Sequence, residues 1–258
     1  MAAKEPNQLI KSLDRAIDIL EIILQQENGM GVTEISRELD LHKSTVYRLL
    51  DTLKFRGYLE KNEENHKYFA GIKLFELSSL VLNDIDNRMR LRPYLEELMQ
   101  ETQETIHLGI LDEGEIIYLD KVESNATIRM YSQVGKRVPA HSTSLGKAIL
   151  AYLPVEKVIN LLQEKGMPAK TKNTITDLEQ FIEHLNKVKK QGYAIDDEEL
   201  EADIRCLAGP IFNHRGEVIA AFSVSAPITR MTEQRMVKLE ELVVKYSQKM
   251  SRSLGFNG

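Results

Sequence analysis

The chain has 258 residues, 42 % of them hydrophobic and 28 % charged, with a net charge of −5; this is comfortable for two domains and excludes a nucleic-acid binder that works by bulk positive charge. No apolar run approaches the roughly 20 residues of a membrane span, and the N-terminal MAAKEPNQLIKSLDRAID lacks an apolar signal core, so a cytoplasmic protein with no membrane partner is expected. The single cysteine, Cys206, excludes an internal disulfide framework, and the chain has no CxxC, HExxH, Walker or GxGxxG pattern.

In chain order, the spacing predicts a first helix over Ser12 to Gln26, with Leu13, Ala16, Ile17, Leu20, Ile23 and Leu24 on one core-facing side. Two short helices follow, one from Thr33 to Leu39 and one from Lys43 to Phe55. Val46, Leu49, Leu50 and Leu53 stand at i, i+3, i+4 and i+7 of the second and form a buried stripe. Leu41 plugs the angle between the helices, small Ser36 stands at their crossing, and Asp40 occupies the turn position where glycine is frequent, being one of the few residues that tolerate a left-handed backbone.

Two helices alone suit an ordinary helical hairpin equally well. Behind them, however, Arg56 to Lys61 and His66 to Gly71 read as strands around the polar turn Asn62-Glu63-Glu64-Asn65, and a hairpin behind a recognition helix makes a winged helix-turn-helix. The segment up to Ile72 holds ten Lys and Arg against twelve Asp and Glu, yet Lys43 to Lys61 has five basic residues against two acidic ones. A local patch suffices for phosphate contact. If the second helix enters the major groove, Lys43, Ser44, Thr45, Tyr47 and Arg48 are the candidate contacts to bases and flanking phosphates. Thr33 is expected to touch the backbone from the preceding helix, and Lys67 from the wing.

From Ile72 to Glu104 the chain reads as linker helices, with a stripe of Leu74, Leu77, Leu80 and Val81 and a break just before Pro93. Thr105 to Gly258 alternates strands and helices. Hairpins are expected around Asp112-Glu113-Gly114 and Asn213-His214-Arg215-Gly216, a strand over ATIRMYSQV, and helices near Leu145 to Leu153, Val155 to Glu164, Leu178 to Gln191 and Thr232 to Leu254. The fold class is therefore α+β: a winged helix-turn-helix domain over 1–72, a linker over 73–104, and an antiparallel-sheet sensor domain over 105–258.

In that last domain, Ala140 to Lys147 leads into an apolar helix, whose first amides attract a carboxylate; Ser142 or Thr143 equally suits a helix cap. Ser223 and Ser225 are two apart on a strand and put their hydroxyls on one side. Cys206 by itself reads as a small buried hydrophobe, and Asp196-Asp197-Glu198-Glu199 as a solvated turn. His107 and His141 lack a third ligand at metal spacing, so neither a metal nor a cofactor is expected.

The order of domains, together with KSTVYRLLDTL, GKAILAYLP, GYAIDDEELEADIRCLAGPIF and VIAAFSVSAP, resembles the IclR family of bacterial transcription regulators over nearly the whole chain. ETIHLGILDEGEIIYLDKVES, IRMYSQVGKRVP and HSTSLGKAIL resemble its branch of KdgR-type repressors of pectin and hexuronate catabolism, whose effector is 2-keto-3-deoxygluconate. The resemblance implies a regulator, and no enzyme, whose C-terminal effector-binding (GAF-like) domain takes a small organic acid, with double-stranded operator DNA as an inverted repeat and a homodimer or dimer of dimers. It implies that the amides of Ser144 and Leu145 meet the effector carboxylate, where many members have smaller residues than Leu145. It implies contacts from Asp196, Cys206, Ser223 and Ser225, and an apolar wall of Met130, Val138 and Ile204. The alternatives are another small carboxylate or aromatic acid as effector, a cysteine-dependent enzyme built on Cys206, His141 and Asp196, and an adaptor that uses the helix-turn-helix for protein contacts.

Overall fold

The structure, a computed structural model, describes residues 10–84, 86–124 and 132–257, with backbone alone over the helical residues 79–84 and 86–89. It divides into two compact units, 1–85 and 86–258.

In the first unit, α1 (Lys11–Leu24), α2 (Val32–Glu38) and α3 (Lys43–Phe55) precede a hairpin of β1 (Leu59–Lys61) and β2 (Tyr68–Ala70), and α4 (Ile72–Asp84) follows. Val46, Leu50 and Leu53 of α3 are buried with Ile35, Leu59 and Tyr68 in one small core, and Leu39, Leu41 and Leu49 pack at its margin. Asp40 takes the left-handed conformation, φ 50°, that the tight α2–α3 turn demands. The Ser36 hydroxyl donates to the Leu41 carbonyl at 2.6 Å and ties that turn to α2. The wing pairs Leu59 with Ala70 and Lys61 with Tyr68. Its polar turn is held by Asn62 Oδ1, which accepts the amides of Glu64 at 2.8 Å and Asn65 at 3.2 Å.

One face differs from expectation. The core takes Ile19 and Ile23 from α1, with Leu20 and Ile22 beside them, whereas Leu13, Ile17 and Leu24 are 59 %, 46 % and 52 % exposed. The helix carries two apolar stripes about 120° apart, and periodicity alone does not say which one its own core uses. On α4, Leu77 is exposed, and the side chains of Leu80 and Val81 lie outside the described residues.

The second unit is one six-stranded antiparallel sheet in the order β5-β4-β3-β8-β7-β6. Its strands are β3 (Thr105–Asp112), β4 (Glu115–Val122), β5 (Arg137–Pro139), β6 (Ala194–Asp197), β7 (Ile204–Phe212) and β8 (Val218–Pro227). α5 (Asp86–Thr102) and α9 (Glu233–Ser253) pack on the sheet; α6 (Ser144–Leu150) also lies against it, with α8 (Leu178–Gln191) on α6 and α7 (Val155–Lys165) on α8. Both expected hairpins form. The strand expected over 126–134 falls mainly outside the described residues, and β5 and β6 are strands that their short, mixed sequences did not announce.

The break expected before Pro93 is absent: α5 runs through it. Proline removes one backbone hydrogen bond from a helix interior, and buried Leu91, Leu95 and Leu98 on the same helix supply packing that offsets the loss. The residues expected to be linker, 73–104, are therefore α4 in the first unit and α5 in the second.

Candidate functional site

The sheet register brings the chemistry together. Asp196 on β6 pairs with Cys206 on β7, Cys206 with Ser225 on β8, and Ser223 on β8 with His107 on β3. Directly paired residues share a face, so these side chains form a polar band on one face of the sheet, and the start of α6 lies over it. The result is a cavity of about 60 Å³, room for roughly four to six water molecules.

Val138, Ser144, Leu145, Asp196, Ile204, Cys206, Ser223 and Ser225 all line it, as does Thr143. Met130 lies outside the described residues. Sequence reasoning missed Tyr118, Ser132, Lys136, Leu200 and Glu201, and passed over His107 except as a metal ligand. The signal for His107 and Tyr118 was their place on strands of one hairpin; Ser132 falls within the strand expected over 126–134, which gave no reason to single it out, and Lys136 lies just before β5.

α6 starts where it does because Thr143 caps it: its Oγ1 accepts the Gly146 amide at 3.0 Å, and its carbonyl accepts the Lys147 amide at 3.0 Å. The amides of Ser144 and Leu145 belong to the first turn, which a helix leaves without internal acceptors. Leu145 is accommodated because position 109 on β3 is glycine, where a Cβ would sit 3.2 Å from Leu145 Cδ1.

The acidic run is not the solvated turn its composition suggests. Asp196 and Glu199 are buried, Glu198 is half-buried and Asp197 alone of the four is exposed, because the segment is strand β6 and its exit rather than a loop. Asp196 Oδ1 accepts the amides of Glu199 at 2.8 Å and Leu200 at 3.3 Å. Glu199 is ion-paired with the fully buried ammonium of Lys147, which also donates to the Ile195 carbonyl at 2.9 Å.

Burial pushes the Asp196 carboxyl up to about 7, against its two backbone hydrogen bonds and nearby Lys147, which pull it down. Burial also drives the His107 imidazole down to about 3, so it is neutral, and raises the Cys206 thiol, so it stays protonated. A thiol so placed is a poor nucleophile. His141 Nε2 meets the Pro168 carbonyl at 3.2 Å, and His141 is not among the residues that line the cavity beside Cys206 and Asp196. Among the described residues no group of three His, Cys, Asp or Glu side chains is arranged to hold a metal ion, and no helix is long and apolar enough to cross a membrane.

A prediction follows from Asp196. An anion entering the cavity stabilises the protonated carboxyl, so binding takes up a proton and affinity falls as pH rises above about 7. A carboxylate ligand titrated at pH 6.5, 7.5 and 8.5 is expected to bind more weakly at each step, at most about tenfold per unit. Asp196→Asn should flatten that slope; a wild-type affinity independent of pH contradicts it. The stability sign is the same: the folded carboxyl holds its proton above the unfolded range, so this group's contribution is complete below about pH 4 and is lost as pH rises toward 7.

In the first unit, Thr33, Lys43, Ser44, Tyr47 and Arg48 are exposed and Thr45 is half-buried. Thr45, Arg48, Leu49 and Thr52 line a shallow depression on α3 with Ser12. Lys67 turns toward Gly29, whose carbonyl it meets at 3.4 Å, and pairs with Glu34 at 3.6 Å.

Comparison with known proteins places both units. Residues 12–63 match the family model described as the IclR helix-turn-helix domain, and residues 79–252 the one described as bacterial transcriptional regulator IclR C-terminal. The chain is 37 % identical to the HTH-type transcriptional regulator XynR of Escherichia coli K12 over 96 % of this chain and 98 % of that protein. It is also 37 % identical to KdgR of the same organism, over 98 % and 96 %. The crystal structure of the Thermotoga maritima IclR superposes with a TM-score of 0.83 at 33 % identity, covering 96 % of this chain and all of that one.

Proposed function

We propose, from the premise that this chain belongs to the IclR family of bacterial transcriptional regulators, that it is a repressor whose hold on an inverted-repeat operator is released by a small organic acid bound in the β6–β7–β8–α6 cavity. The observation that carries this reading is the convergence of Ser144, Leu145, Asp196, Cys206, Ser223 and Ser225, separated by up to 81 positions in sequence, on one cavity. First-turn amides suit a carboxylate, and paired hydroxyls suit an oxygenated carbon beside it. With Val138 and Ile204 as apolar wall, the space suits a compact acid. 2-Keto-3-deoxygluconate is our first choice, since the chain resembles KdgR-type repressors; its equal identity to XynR makes other small carboxylates the second.

On the DNA side, α3 enters the major groove, with Lys43, Ser44, Thr45, Tyr47 and Arg48 at bases and flanking phosphates and Thr33 on the backbone. Lys67 reaches a phosphate only by giving up Glu34. A homodimer, or a dimer of such dimers, is supported by the exposed Ile10, Leu13, Ile17 and Leu24, which recur at heptad spacing along α1. The effector acts through its differential affinity for the DNA-competent and released states.

Titrating DNA from upstream of its own gene and its neighbours tests the reading. Specific binding that weakens when 2-keto-3-deoxygluconate is added is expected; specific binding that ignores every small carboxylate tried contradicts acid control. Arg48→Ala is expected to cost about 1–3 kcal/mol on operator DNA if Arg48 reads a base. Equal loss on all sequences with a flatter salt dependence would make it a phosphate contact instead.

A further inference from the structure

His107 does something that none of the residues assigned above does. It is 2 % exposed on β3, lines the cavity, and tilts against the Tyr118 ring with centroids 5.0 Å apart. Its Nε2 lies 2.7 Å from the Ser132 hydroxyl and its Nδ1 3.3 Å from the Ser225 hydroxyl, which in turn is 3.4 Å from that of Ser223. Ser132 and Ser225 thus stand on opposite sides of one imidazole, and both line the cavity.

We propose that His107 is a specificity-determining residue of this cavity: by holding Ser132 and Ser225 in opposite hydrogen-bonding senses, it selects acids that carry a hydroxyl or keto oxygen over the unsubstituted acid. This rests on the acid-binding reading above and adds to it the group that is read. Buried in this way the imidazole is neutral, so it offers one N–H and one lone pair. One serine therefore donates its proton to the ring and keeps only lone pairs for the cavity. The other accepts from the ring and keeps its proton for the ligand. Either tautomer leaves one hydroxyl proton on one serine and acceptor lone pairs without a proton on the other, so the tautomer exchanges their places without changing the inventory. A keto oxygen takes the donor, and a hydroxyl takes either or both. An unsubstituted acid displaces water from the wall and leaves both unpaired, which is the situation in which polar sites discriminate most strongly. A histidine that only fills the core would weaken all acids alike when removed.

The test is calorimetric titration of the full chain with matched acids: pyruvate, lactate and propionate; 2-oxobutyrate, 2-hydroxybutyrate and butyrate; 2-keto-3-deoxygluconate, gluconate and hexanoate. For at least one set the wild type is expected to bind the keto or hydroxy acid at least about tenfold more tightly than the plain acid. His107→Phe should reduce that preference to within about threefold while leaving the plain acid's affinity within about threefold, and His107→Gln, whose amide supplies one donor and one acceptor, should keep more of it than Phe does. Ser132→Ala, on a connection outside the sheet, gives the same reading should the Phe variant not fold. The proposal is overturned by a wild type without preference, by a preference that survives both His107→Phe and Ser132→Ala, or by variants that weaken every acid equally. If no acid binds the wild type at all, the acid reading itself fails, and that is seen before any variant is made.

Discussion

Lys147→Ala is expected to lower the stability of the second unit by about 3–5 kcal/mol, because removing one member of a buried ion pair strands the other. The Lys147 ammonium is completely buried on α6, and Glu199, 7 % exposed at its side chain, is its ionic partner. One Glu199 oxygen, Oε2, already has no hydrogen-bond partner, so nothing in the described structure stands ready to compensate the charge. At this size a loss of 1 kcal/mol corresponds to about 2–4 °C in Tm, so calorimetry should find this unit's transition about 6–20 °C lower. Replacing both partners, as in Lys147→Met with Glu199→Leu, should recover much of the loss. A single variant that unfolds within a degree or two of wild type would contradict the assignment. The pair also matters to the site, since Lys147 holds the Ile195 carbonyl immediately before Asp196.

Gly146→Ala should be nearly as damaging, at about 3 kcal/mol, and should also remove the response to the acid. A Cβ at this position would lie 2.0 Å from the Ala140 carbonyl oxygen and 2.5 Å from its Cα, both backbone atoms that cannot step aside. α6 would have to back away from the 140–143 segment, and overpacking on this scale costs 1–3 kcal/mol or occasionally more. The displaced helix start would carry the Ser144 and Leu145 amides out of place, along with the Thr143 cap. Thermal unfolding and acid titration measure the two effects. A variant of normal stability and normal acid affinity would show that the close approach is dispensable.

The winged helix-turn-helix was legible because its constraints are local. The α3 stripe, the left-handed Asp40 and the wing turn each depend on neighbours within a few residues, and each is where the pattern placed it. The face of α1 was not legible, since two apolar stripes compete and only tertiary contact decides between them. Pro93 misled for a related reason: the rule that proline ends a helix gave way to packing by Leu91, Leu95 and Leu98.

In the second unit, the resemblance named the polar residues that now line the cavity, whereas composition alone made Asp196 a solvated residue and Cys206 a core filler. Their burial comes from pairing across β6, β7 and β8, which sequence spacing does not encode. Val138 and Ile204 are brought to the same wall by strands far apart in the chain. His107 was passed over because it was weighed only as a metal ligand, and its partners Ser132 and Ser225 are 25 and 118 positions away.

The central claim is that occupancy of this cavity governs DNA binding by the other unit. The most direct test compares wild type with Ser223→Ala in operator titrations across a series of acid concentrations, using 2-keto-3-deoxygluconate first and the small carboxylates that bind by calorimetry after it. We expect equal operator affinity without acid, release of the wild type as acid is added, and at least about a tenfold higher acid requirement for the variant. Wild type and variant releasing at the same acid concentration, or neither releasing with an acid that calorimetry shows to be bound, would contradict it.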